Sequence, residues 1–89
     1  MTIELTENVA SYLEETLYIE IEDDYEYIMA KHDTAWDIVE VMSFMEALVD
    51  VILKINPERG RECADMYTEC LTVLGVNDLD EVYEQYGDQ

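Results

Sequence analysis

The residues of this chain best placed to do chemistry are carboxylates in two tight runs, Asp23-Asp24-x-Glu26 and Asp78-x-Asp80-Glu81-x-x-Glu84. Oxygens clustered this way can bind a hard cation or work as a general acid and base. A calcium loop, however, needs about twelve residues with a central glycine and a terminal glutamate, and neither run has that spacing. A general acid needs a pKa raised by burial, which a solvated helix face does not supply. The single histidine, His32, stands beside Asp33 at an expected helix end, where a capping cation belongs. Ser11 and Ser43 fall inside helical patterns, with no glycine elbow to present a nucleophile. No glycine-rich loop is available to cradle a phosphate. Cys63 and Cys70 lie seven residues apart. On one helix that is ~10.5 Å of rise, beyond the ~7 Å Cα limit for a disulfide. They read as reduced, half-buried thiols of a cytoplasmic protein, with no further Cys or His nearby to complete a metal site. Neither an enzyme nor a bound cofactor or metal is expected.

The two runs belong to a wider charge pattern. Against 23 Asp and Glu stand four Lys and Arg, a formal net charge of −19 over 89 residues. Residues 1–30 carry nine acids and no cation, and residues 62–89 carry eight acids and no cation. Lys31, Lys54, Arg59 and Arg61 all lie between, among six acids, so the three segments sum to −9, −2 and −8. Charge this dense destabilises a compact state by self-repulsion. The compensating benefit is a basic partner, a high-salt environment or solubility. Disorder is excluded, because 49% of the residues are apolar or aromatic, with one Pro and three Gly. A chain of this length has room for one modest core, so residues 1–89 read as one acidic domain.

The elements that position these residues are helical. Ile38, Val41, Met42, Met45, Leu48, Val49 and Ile52 recur at three- and four-residue steps. Thr34, with Asp37 three residues on, is the expected cap, and Phe44, Val51 and Ile55 widen the apolar arc. Asn56-Pro57 ends this helix and starts the next, whose stripe is Cys63, Met66, Tyr67, Cys70, Leu71 and Leu74. Glu58, Arg61, Glu62, Asp65 and Glu69 face water there. Gly60 sits in the first turn, where it costs little, and Gly75 is the stop. Asn77 or Asp78 caps a short last helix with Leu79, Val82, Tyr83 and Tyr86 on one face. In the N-terminal third, Thr6 begins a helix with Val9, Leu13 and Leu17 inward. Continuing that spiral would bury Glu20 and Asp24, so a break is expected near Tyr18–Asp23. Either a new short helix starts at Asp23, or residues 18–28 form a β-hairpin, since Tyr18 to Glu22 and Tyr25 to Tyr27 alternate with period two. The fold expected is all-α, a bundle of four to five helices, with α+β as the alternative.

The sign of the charge excludes direct nucleic-acid binding, whose affinity comes from Lys and Arg on phosphates. It also disfavours anionic membranes. The longest apolar stretch, near Val41–Ile55, is interrupted by Glu46 and Asp50 and too short to span a bilayer. Residues 1–20 lack the pattern of a signal peptide, so a cytoplasmic location is expected. The same sign fits a target that itself binds nucleic acid. Residues three or four apart on a helix rise ~4.5–6 Å, a spacing comparable to that of successive phosphates along a strand. A rigid bundle studded with carboxylates could occupy a basic groove.

In size and charge the chain resembles the phage-encoded acidic DNA mimics, the anti-restriction and anti-CRISPR inhibitors, and more distantly the acidic inhibitors of uracil-DNA glycosylase. That likeness spans the chain without a shared motif, and it implies an inhibitor of a host defence nuclease or CRISPR effector. Acyl carrier proteins are acidic helical domains too. The start of the second helix reads His32-Asp33-Thr34-Ala35-Trp36, without their serine. Colicin immunity proteins carry adjacent tyrosines followed by proline. Here Glu26 separates Tyr25 from Tyr27 and Pro57 is distant. The expected partner contacts are Glu14, Glu15, Glu20, Glu22, Asp23, Asp24 and Glu26 with Tyr25 and Tyr27, and a second patch of Asp78, Asp80, Glu81 and Glu84. The alternatives are an acidic protein-binding module such as an adaptor, antitoxin or immunity-type protein, and a halophile's soluble domain. For the module, the flank of Trp36, Phe44 and Val51 is where a partner or a homodimer would form.

Overall fold

The most regular apolar stripe in the sequence becomes the spine of the fold. In the computed structural model, which describes residues 7–87, helix α2 (Ile38–Ile55) buries Ile38, Met42, Met45, Val49 and Ile52. Packed on it are α1 (Glu7–Lys31), α3 (Pro57–Leu74) and the eight-residue α4 (Leu79–Tyr86). The class is all-α, three long helices and one short one, with no strand among the described residues. Ile21 and Ile28 of α1, Cys63, Cys70, Leu71 and Leu74 of α3, Val76, and Val82 of α4 complete the core. Each large aliphatic side chain in it contributes roughly 1.5–3 kcal/mol of burial.

The N-terminal third corrects the expected break. α1 runs 25 residues without interruption, with no Gly or Pro between Glu7 and Lys31. There is neither a hairpin at residues 18–28 nor a new helix at Asp23. The spiral simply continues: Leu17, Ile21, Asp24 and Ile28 share the inward face. Ile21 and Ile28 are fully buried and Asp24 half-buried, while Glu20 swings out to solvent. Thr6, the expected start, lies outside the described residues.

The start of α2 also moves, from Thr34 to Ile38. Residues 32–34 are spent closing α1, where the Thr34 and Ala35 amides donate to the Lys31 carbonyl at 3.0 and 2.8 Å. Asp37 occupies the N-cap position, but its carboxylate caps no amide. It accepts instead from the Tyr27 hydroxyl at 2.6 Å, a tertiary bond that replaces the local one.

The joint between α2 and α3 follows the sequence closely. The Asn56 side-chain oxygen Oδ1 accepts from the amides of Glu58 and Arg59 at 3.2 and 3.4 Å, with Pro57 in the first helical turn. Gly75 ends α3 in the left-handed conformation at φ 76°, and the Val76 amide donates back to Leu71. Gly60, expected to be incidental, is buried where α3 crosses α2. A Cβ there would stand 2.6 Å from the Leu53 Cα.

Two contacts show that α1 and α3 lie side by side and run the same way. The Arg59 guanidinium stacks 4.0 Å over the Tyr18 ring. Further along both helices, the Tyr25 hydroxyl donates to Glu69.

Candidate partner-binding surface

At ~100° per residue, Glu15, Glu22 and Glu26 fall on one outward strip of α1 with Asp23 beside it, and all four are exposed. The other expected contacts on α1 are placed differently. Glu20 leaves from a separate flank. Glu14 turns inward, accepting from the Asn56 side-chain amide at 2.9 Å, with Arg59 3.9 Å away. Arg59 also lies 3.8 Å from Glu15, a loose pair that softens one end of the strip. Tyr25 and Tyr27 are half-buried against the core, and their hydroxyls are engaged by Glu69 and Asp37. Those hydrogen bonds to carboxylates hold both phenols above the usual range. The two tyrosines thus fix the geometry of the strip.

Four acids that the sequence placed only as water-facing now join it. Glu58, Glu62, Asp65 and Glu69 of α3 are exposed at four-, three- and four-residue steps. Arg59 against Tyr18 and Tyr25 against Glu69 set this strip along the same α1–α3 seam that Glu15, Glu22 and Glu26 border. Two parallel rows of carboxylates thereby form one ridge. The period of α3 was legible in the sequence, but its neighbour was not.

The α4 patch does not extend that ridge, because α4 packs on α2 and α3 and not on α1. Two of its acids are also committed locally. Asp78 accepts from the Glu81 amide at 2.9 Å, and the Glu81 carboxylate accepts from the Asn77 amide and side chain at 3.0 and 3.1 Å. The pair is a reciprocal N-terminal cap, which leaves Asp80 and Glu84 exposed. Tyr83, expected on the apolar face, is instead 50% exposed and bonded to Ser43 at 2.8 Å. His32 sits 3.2 Å from Asp33 at the end of α1. Cys63 and Cys70 are free and fully buried, where desolvation pushes their thiols up to about 11 and about 12. Among the described residues no three acidic, histidine or cysteine side chains converge on a possible metal position, and no enclosed pocket forms. No helix among them is long and apolar enough to cross a membrane.

Asp24 is the one acid of the set whose chemistry changes. One of its oxygens is buried without a hydrogen-bond partner. Burial, then Glu20 and Asp23, raise its pKa from 3.8 to about 6. A carboxyl raised by folding binds its proton more tightly folded than unfolded. Its ionisation therefore costs stability as pH rises from about 4 through about 6. Asp24→Asn should stabilise the chain by about 1–2 kcal/mol at neutral pH, allowing for solvent screening of this half-exposed group. The gain should vanish near pH 4. Urea unfolding of both proteins at the two pH values checks this, and an equal gain at both would assign the effect to packing.

Comparisons with protein families, with curated proteins and with solved structures return no match for this chain.

Proposed function

We propose that this chain is a non-enzymatic inhibitor that imitates nucleic-acid charge. Its α1–α3 ridge lies in the basic groove of a nuclease or CRISPR-type effector of host defence, in the cytoplasm of the host cell. The observation that supports this reading is the double row of exposed carboxylates, Glu15, Glu22 and Glu26 beside Glu58, Glu62, Asp65 and Glu69, held in register by Tyr25 and Arg59. Along the α3 row, and from Glu22 to Glu26 on α1, the acids rise ~4.5–6 Å per three- or four-residue step, whereas Glu15 stands seven residues, ~10.5 Å, before Glu22. Lys and Arg shaped for phosphates would meet oxygens at comparable intervals. Because the rows stand on packed helices, little ordering entropy is lost on binding. Glu14, Tyr25 and Tyr27 build the ridge, and Asp78 and Glu81 build α4, so the contact set narrows to the exposed acids of the two rows.

The test is capture at low ionic strength followed by a salt gradient. A basic nucleic-acid-binding protein should be retained, should elute as salt rises past physiological strength, and should be displaced by duplex DNA. Retention that survives molar salt, or that DNA does not compete, would overturn the reading.

A further inference from the structure

The water-facing side of α2 carries a different surface from the rest of the molecule. Glu40, Phe44, Ala47, Val51 and Lys54 are all exposed, at steps of four, three, four and three residues. At ~100° per residue they occupy about 80° of arc, on the side of the helix facing away from the core. Phe44 and Val51, which widen the apolar arc of α2 and were placed from the sequence on the flank where a partner or a homodimer would form, are 52% and 44% exposed. Half-buried Leu48 and Ile55 border the strip on one side. Tyr83, reaching across from α4 to Ser43, walls the other. Steps of four and three are the seam of a helix pair, and among the described residues no helix covers that seam.

We infer that this strip is a self-complementary seam on which a second copy of the chain docks, α2 against α2 and antiparallel. The order of residues carries the inference. Turned end for end about Ala47, the strip reads Lys54, Val51, Ala47, Phe44, Glu40. Each Glu40 then meets the second copy's lysine at the other end of the seam. Each Phe44 meets a valine, and the small alanines meet at the crossing, where helix backbones must approach. A parallel pair would set glutamate on glutamate and lysine on lysine. The antiparallel arrangement also opposes the two helix dipoles, and it is the isologous contact expected of a two-fold dimer.

Charge favours this face for a second reason. The strip itself carries one acid and one base, Glu40 and Lys54, and so is neutral, whereas the α1–α3 ridge is lined with exposed carboxylates. Two copies of so acidic a chain repel least where they meet through α2. The seam is short, at the small end of specific interfaces, so the dimer dissociates readily and must be measured at high protein concentration. The inference does not rest on the inhibitory reading, because seam and ridge lie on different helix faces.

Sedimentation equilibrium of the parent chain, Glu40→Lys, Lys54→Glu and the double variant tests it as a charge-swap cycle. Each single reversal puts like charges together at both ends of the antiparallel seam and should weaken association by about tenfold or more. The double swap should return it to within about threefold of the parent. Glu40→Lys lowers the overall repulsion between copies, so weakening there comes from the seam itself. Association of the parent should strengthen with salt, because screening relieves the repulsion of two chains at −19 each. That is the opposite trend from capture of a basic partner. A parent that stays monomeric throughout, single reversals without effect, or a double variant no better than the singles would each overturn the inference. All these positions are exposed, so the variants keep the fold, and far-UV circular dichroism verifies it.

Discussion

Replacing Gly60 with alanine should cost about 2–3 kcal/mol of stability, although alanine is the better helix former by about 1 kcal/mol. The added Cβ would lie 2.6 Å from the Leu53 Cα and 2.7 Å from its Cγ. Carbon atoms pack best at about 3.5–4.0 Å. The Leu53 side chain can rotate out of the way, but its Cα belongs to α2 and cannot. α2 and α3 would have to separate by about 1 Å along their shared seam. That separation loosens the core between the two helices, where Ile52 of α2 and Cys63 of α3 are fully buried and packing tolerates no gaps. Urea unfolding followed by circular dichroism reads the loss directly. Unchanged or higher stability would mean that α2 and α3 do not cross this closely.

Gly60 marks where the sequence stops being informative. A glycine in the first turn of a helix is locally innocuous, and nothing nearby says that another backbone approaches it. The same limit applies to Asp24. The spiral of Leu13, Leu17 and Ile21 does place it inward, and the cost of burying an acid argued for a broken helix. The chain instead keeps α1 whole and accepts a carboxyl with its pKa raised to about 6. An unbroken 25-residue helix aligns Ile21 and Ile28 with α2 and Tyr25 with Glu69, contacts that local propensity cannot weigh. Thr34 failed as a cap for a related reason, since a hydroxyl from α1 claims the Asp37 carboxylate.

Where the determinants are local, they were legible. The α2 stripe, the Asn56-Pro57 joint, the Cys63–Leu74 stripe and the left-handed Gly75 each follow from neighbours in sequence. The surface divides the same way. The outward phase of Glu15, Glu22 and Glu26 could be counted along one helix. Their union with Glu58, Glu62, Asp65 and Glu69 depends on which helix lies beside α1. Arg59 links the two cases: its Tyr18 and Glu14 contacts join segments more than forty residues apart in sequence.

Glu22→Lys with Glu26→Lys should weaken capture of a basic partner about 10²–10³-fold at low salt. Each reversal removes one attraction and adds one repulsion of about 1 kcal/mol apiece near a solvated surface. Asp80→Lys with Glu84→Lys on α4 makes the matched comparison. Both pairs are exposed and four residues apart on a helix, and both change the net charge equally. Long-range attraction between an acidic chain and a basic target falls by the same amount in each. Contact with a groove is lost only where the ridge has been altered, so the α4 pair should weaken capture less than about tenfold. Competition binding at one fixed ionic strength distinguishes the two variants. Equal losses would mean that charge acts by amount and not by position, and an imitation of a phosphate backbone requires position.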